Sequence, residues 1–274
     1  MLPDAGGVQA VSSWSTARRL RWVPKSPGGP LPVLAQSCVD RVDAEDWKLP
    51  MPVPSLHSYD PRMVAAHGDE LASVMLMNEA PGPDEADGGI PLFGQQGANL
   101  YHAFRKADVA WAAAHGTFVW PKTSNAPADR LAKKLAFLSS RAKHITCTNS
   151  YAQWPKSEAD GRGFAPPAAV DVLSTANLAR IQAEVRPSHR VVLLCGANAY
   201  LACCGEALTN PQPREGTDLT EAELDRVNKR LGSAFEAGWY LGHTRRWNMH
   251  QASIRDALQR VAAQAGWTAP AAEA

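Results

Sequence analysis

Several things are missing from this chain of 274 residues, and each absence removes a class of function. No apolar run approaches the length of a membrane span, and the N-terminus has no basic start leading into a continuous apolar segment. A soluble, cytoplasmic protein with no membrane partner is therefore expected. There is no excess of one charge: 28 Lys and Arg stand against 27 Asp and Glu, a formal net charge of +1, so no global basic field advertises a polyanion. Any nucleic-acid contact has to be local. Cys-x-x-Cys spacing is absent and the cysteine count, five, is odd, which argues against a disulfide framework or a zinc ribbon. Cys147 and Cys195 fall in apolar runs and read as buried, inert thiols. No Gly-x-x-x-x-Gly-Lys signature for phosphate transfer occurs, and no internal repeat is visible.

What is present divides into two parts. Residues 1–60 are rich in Pro and Gly but carry Trp14, Trp22 and Trp47. They read as an N-terminal extension that lacks continuous regular structure and drapes over a folded body. Residues 61–274 alternate. Strands are expected at Ser73–Asn78, His144–Thr148, Arg190–Cys195 and Gly238–Gly242. Helices are expected over 98–114, 129–141, 168–185, 199–204 and 252–265, with a loop at Pro121–Asn125. Thr220 to Glu223 fits a capping box that opens a charged helix, read as a solvated insertion near 210–236. Four short apolar strands separated by helices predict an α/β fold, a three-layer α/β/α sandwich around a central four-stranded parallel sheet.

Polar groups gather at the carboxyl ends of these strands: Asn78 and Glu79, Asn149, Gly196 and Asn198, and His243. In a parallel sheet those ends share one edge, where loops form a crevice. Asn offers a paired donor and acceptor suited to a base or amide edge. His can stabilise an anion or move a proton near neutral pH, and a carboxylate can activate water. The combination suits hydrolysis of a bond to a heterocycle. Each residue also has a plainer use. Glu79 and Asn149 can brace turns, His243 can be a satisfied structural histidine, Trp247 can be a packing aromatic, and Arg245 and Arg246 can be solvated charges.

The segment Asn78-Glu79-Ala80-Pro81-Gly82, followed by Ile90-Pro91-Leu92-Phe93-Gly94-Gln95-Gln96-Gly97, resembles the first motif of the uracil-DNA glycosylase superfamily, especially its iron-sulfur branch. Thr148-Asn149, the apolar strand ending Cys195-Gly196-Ala197, and Gly242-His243 fall in the order of that family's later motifs, over about residues 70 to 265. The resemblance implies a DNA glycosylase-like hydrolase that cleaves the N-glycosidic bond of uracil or a related modified base in DNA after flipping. It implies that Asn78, Glu79 and His243 carry catalysis, and that Asn149, Phe93, Leu92 and Gly82 bind the base. Trp247 would wedge into the stack, with Arg245 and Arg246 on phosphates. Some positions depart from the family's pattern. Asn78 stands for a Gly, Leu92 for the stacking Phe, Gln153 for a cluster Cys, and Thr244-Arg245 for Pro-Ser. With no N-terminal Cys pair, no iron-sulfur cluster is expected, and no metal or other cofactor. DNA is the expected partner and a monomer the expected state. A catalytically degenerate DNA- or partner-binding protein and a hydrolase of free nucleosides remain alternatives.

Overall fold

The computed structural model describes residues 58–121, 126–156, 166–208, 215–247 and 251–267. The chain divides into two units, Met1–Leu49 and Pro50–Ala274. The first unit, with Trp14, Trp22, Cys38 and Trp47, lies outside the described residues, as do positions 122–125 of the expected loop and His250. Among the described residues no helix is long and apolar enough to cross a membrane.

The second unit is mixed α/β. Its strands are β1 (Ser58–Met63), β2 (Val74–Asn78), β3 (Ile145–Asn149), β4 (Gln153–Lys156), β5 (Val191–Leu194), β6 (Thr217–Asp218) and β7 (Ala237–Tyr240). Its helices are α1 (Pro83–Gly88), α2 (Gln95–Lys106), α3 (Ala110–Ala113), α4 (Ala128–His144), α5 (Ala169–Val172), α6 (Thr175–Glu184), α7 (Ala197–Cys204), α8 (Glu221–Leu231) and α9 (Gln251–Gln264), with a 3-10 turn at Thr244–Arg246. The main sheet runs β3-β2-β5-β7-β6. The first four strands are parallel and correspond to the four expected ones. The sheet nevertheless has five strands, because β6 adds an antiparallel edge to β7 through Thr217 opposite Tyr240 and Asp218 opposite Trp239. A two-residue strand has no periodicity to read, so only its pairing reveals it.

Alternation along β2 feeds two separate apolar clusters. Val74 and Leu76 join Leu100, Phe104, Phe137, Trp239 and Leu258, whereas Met75 and Met77 join Ile181, Tyr200, Val227 and Leu231. The segment expected as a solvated insertion is therefore part of the fold. Besides β6 it supplies α8, which is capped at Thr220 as expected and buries Val227 and Leu231 against the second cluster. Two long helices expected from apolar spacing are each broken in two. The first breaks at Asp108, whose φ of 54° interrupts the path between α2 and α3. The second breaks at Ser174, whose hydroxyl accepts the Asn177 N–H and starts α6 afresh. β1 and β4 form a separate antiparallel pair.

Candidate active site

The chain crosses from β3 back over β2 to reach β5, so the order of the parallel strands reverses between β2 and β5, and their carboxyl ends flank the crevice such sheets use for ligands. Four of the expected site residues meet there. Asn78 of β2 lies in register with Asn149 of β3, and both share the sheet face of Leu76 and Cys147. The chain leaving β3 folds back onto β2. The Ser150 N–H donates to the Asn78 carbonyl at 2.7 Å, the Tyr151 N–H to the Glu79 carbonyl at 3.3 Å, and the Ser150 hydroxyl to that same carbonyl. Two amide side chains are thereby fixed next to each other.

Their environments differ. Asn78 Nδ2 donates to Gln96 Oε1 at 2.8 Å, and the Thr244 hydroxyl reaches the same oxygen at 2.9 Å. Asn99 Nδ2 donates to the Thr244 carbonyl at 3.1 Å, so α2 ties the first motif to the turn after β7. Asn149 is fully buried, yet neither its Oδ1 nor its Nδ2 has a hydrogen-bond partner. Leaving such groups unmade costs roughly 1–3 kcal/mol each. The backbone of Asn149 is held firmly: Arg180 of α6 donates to its carbonyl at 2.7 Å while bonding Glu184 and the Asn177 side chain. A rigid backbone thus presents one unused acceptor oxygen and an unused NH2 donor group.

Glu79 and His243 form the second half of the site. His243 Nε2 lies 3.3 Å from Glu79 Oε2, and both side chains are mostly buried. His243 Nδ1 accepts the Arg245 N–H at 3.0 Å, capping the 3-10 turn. An accepting Nδ1 carries no proton, so the ring is neutral and presents Nε2–H toward Glu79. On its other side Glu79 lies against Gly196, which has φ of 106°. A Cβ there would sit 2.6 Å from Glu79 Cγ, so only glycine suits both the backbone and the approach.

The first-motif loop is clamped rather than loose, and part of it is α1. Glu85, buried, accepts the Gly82 N–H at 3.0 Å and the Gly94 N–H at 3.2 Å, which closes the loop on itself; burial raises its pKa. Leu92 is fully buried with φ of 57°, strained for a side chain branched at Cγ, and Gly97 packs so closely on the Leu92 carbonyl that a Cβ would meet its carbon at 2.9 Å. Phe93, expected among the base-binding residues, has the Lys134 ammonium 3.3 Å from its ring centroid, so that face is taken. The Phe93 carbonyl accepts from Trp120 Nε1 at 3.3 Å and the Pro91 carbonyl from Arg141 Nη2 at 3.0 Å.

Trp247, expected as the wedge, has its indole buried in the first apolar cluster, where Nε1–H donates to the Leu241 carbonyl at 3.0 Å. The Trp closes the 3-10 turn after β7, where its apolar surface joins the core. Arg245 and Arg246 are exposed beside it.

Sequence reasoning missed Gln96, Lys134 and Arg141. Gln96 lies in the Gly94-x-x-Gly97 run, and only its contacts with Asn78 and Thr244 mark it. On α4 the apolar spacing of Leu131, Leu135 and Leu138 marks a face that is rotated from the buried one. Lys134, Phe137, Leu138 and Arg141 are the buried positions, and both cations are fully buried. Their seven-residue spacing on one stripe was the available signal. No protein-family model matches the chain, and no curated protein matches it.

Proposed function

We propose that the chain hydrolyses the N-glycosidic bond of uracil or a related modified base in DNA after the base is flipped, on a three-layer α/β/α member of the uracil-DNA glycosylase fold. The two apolar clusters on opposite faces of the sheet support the layered reading. The observation that carries the activity is the buried Asn149 amide with both polar atoms unpartnered, at the same sheet edge as the Glu79 and His243 pair. An acceptor next to a donor complements a lactam edge, in which a ring N–H adjoins a carbonyl. Glu79 would orient or deprotonate water, and the Nε2–H of His243 would turn from Glu79 to an oxygen of the departing base. Asn78 would keep the water site in shape through Gln96 and Thr244.

The test is product formation on single- and double-stranded oligonucleotides carrying uracil, hypoxanthine, xanthine or 5-hydroxymethyluracil. Wild type should release base from at least one of them. Asn149→Ala and His243→Ala should each lose about 100-fold or more, as when a preorganised polar contact is removed. Salt-sensitive DNA binding with no product on any substrate would leave a binding protein instead.

A hydrolase of free nucleosides is the second reading. It is favoured by the near-neutral net charge and by the burial of Trp247, the residue expected as the wedge. Release of base from nucleosides at rates matching or exceeding those on DNA would select it.

A further inference from the structure

If a base leaves from the Asn149 subsite, it leaves with the electron pair of the bond it breaks, and the neutral His243 ring offers no full positive charge to meet it. A cation does act on the face of β3 that carries that subsite. Arg141 is fully buried. Its Nη2 donates to the Pro91 carbonyl at 3.0 Å, while Nε and Nη1 have no hydrogen-bond partner. Its charge falls within electrostatic reach of the Cys147 thiol and the His67 imidazole. Cys147 precedes Asn149 by two residues on the same face of β3, so the asparagine is about 7 Å further along the strand. The one buried carboxylate facing Arg141 is Glu85 of α1, and it is already engaged by the Gly82 and Gly94 N–H groups. A buried guanidinium that spends one donor of five is costly, and its stability cost calls for a use.

We propose that Arg141 is the site's fixed positive charge, acting through space to stabilise the anion of an oxo-pyrimidine leaving from the Asn149 subsite. This rests on the hydrolase reading above. In the step concerned, the C1′–N1 bond breaks and its electron pair stays on the pyrimidine. Water adds through oxygen to C1′, its proton passes to Glu79 and on to solvent, and the pyrimidine anion takes up a proton from solvent. Arg141 neither gives nor receives a proton. It lowers the energy of negative charge developing in that subsite, an effect on the order of tenfold in rate in a partly shielded interior.

The experiment compares wild type with Arg141→Gln, which removes the charge but keeps an amide donor for the Pro91 carbonyl, and with Arg141→Lys, which keeps the charge. Arg141→Met is a second neutral variant, because an apolar side chain of similar length replaces an unpaired buried ion without a folding penalty. Single-turnover rates are measured with saturating enzyme on oligonucleotides carrying deoxyuridine or 5-fluorodeoxyuridine, whose base is the more acidic leaving group. The neutral variants should lose about tenfold on deoxyuridine and clearly less on the fluorinated substrate, with DNA affinity unchanged. Arg141→Lys should stay within about threefold of wild type. Equal losses on both substrates would reduce Arg141 to a brace for the Pro91 carbonyl, and no loss would remove it from the reaction; either result overturns the proposal while wild-type turnover leaves the hydrolase reading standing. Absence of wild-type turnover on deoxyuridine overturns it too, and absence on every base tested takes the hydrolase reading down as well.

Discussion

Lys134 shows what a single buried charge does to this fold. Its ammonium lies over the Phe93 ring and makes one hydrogen bond, to the Pro121 carbonyl at 3.1 Å. Burial lowers its pKa to about 8, against the pull of Asp84 and Glu85, which favour the charged form. An unfolded lysine titrates near 10.4, so at pH 7 both states are protonated and the native state bears the whole desolvation cost. Between pH 8 and 10.4 the unfolded chain holds more protons, and the contribution of Lys134 to stability rises with pH. Lys134→Met is therefore expected to stabilise the protein at pH 7 by about 2 kcal/mol and by visibly less at pH 9.5. Urea unfolding at the two pH values checks it, and a variant less stable than wild type at pH 7 would mean that the contact with Phe93 outweighs desolvation.

Elements, rather than isolated residues, decide where Asn149 sits, and α6 is the one that holds it. Arg180 spans from Glu184 and Asn177 on that helix to the Asn149 carbonyl, while Asn177 Nδ2 donates to the Ser150 carbonyl at 2.7 Å and to the Val172 carbonyl at 2.8 Å. Arg180→Met should cost about 1–3 kcal/mol of stability, since it strips charge-assisted bonds from a partly buried network. It should also weaken base release more than it weakens DNA binding. Chemical denaturation and single-turnover rates read the two effects separately, and a rate unchanged beside a lowered stability would detach α6 from the site. None of this was legible in the sequence, where the same segment is one long helix stopping before Pro187. The apolar period of Leu178 and Ile181 runs on smoothly past the break at Ser174. The four parallel strands were legible, because residues such as Val191 to Leu194 are buried on both faces and read as unbroken apolar runs. So was the gathering of Asn78, Glu79, Asn149 and His243, which follows from parallel pairing alone. The rotation of α4, the burial of Trp247 and the pairing of β6 depend on tertiary contacts that no local pattern encodes. The Leu92 backbone, with its positive φ, is a further case: nothing in a leucine announces it, and only the clamp from Gly97, Trp120 and Arg141 explains why it persists.

At the scale of the whole molecule, histidines whose pKa is lowered by burial weaken the fold in acid, and among the described residues His67 and His189 are shifted most. His189 has Nε2 2.9 Å from the Thr146 hydroxyl and accepts the Arg186 N–H on Nδ1 at 3.0 Å, an arrangement that requires an unprotonated Nδ1. Burial, with Arg186 adding to it, lowers its pKa to about 4. Burial does the same to His67, also to about 4, with Arg141 as the second cause. Both folded values lie below the unfolded value near 6.5, so the unfolded state binds more protons at intermediate pH. Their stabilising contribution is complete above pH 6.5 and is lost as the pH falls toward 4. Glu85 works in the opposite sense. Its pKa is raised by burial, so protonation in acid relieves a buried charge and offsets part of the loss. Asp60, held far below the usual carboxylate range by its hydrogen bonds to Arg62, adds nothing until the pH drops under 4. Each histidine can contribute at most about 3 kcal/mol over this window, and with Glu85 opposing them a net fall of about 2–4 kcal/mol from pH 7 to 4.5 is expected. Urea unfolding at pH 7, 5.5 and 4.5 measures it. The double variant His67→Gln, His189→Gln should start less stable at pH 7 but lose less than half as much on acidification. Equal slopes for the two proteins would assign the acid sensitivity to the carboxylates instead.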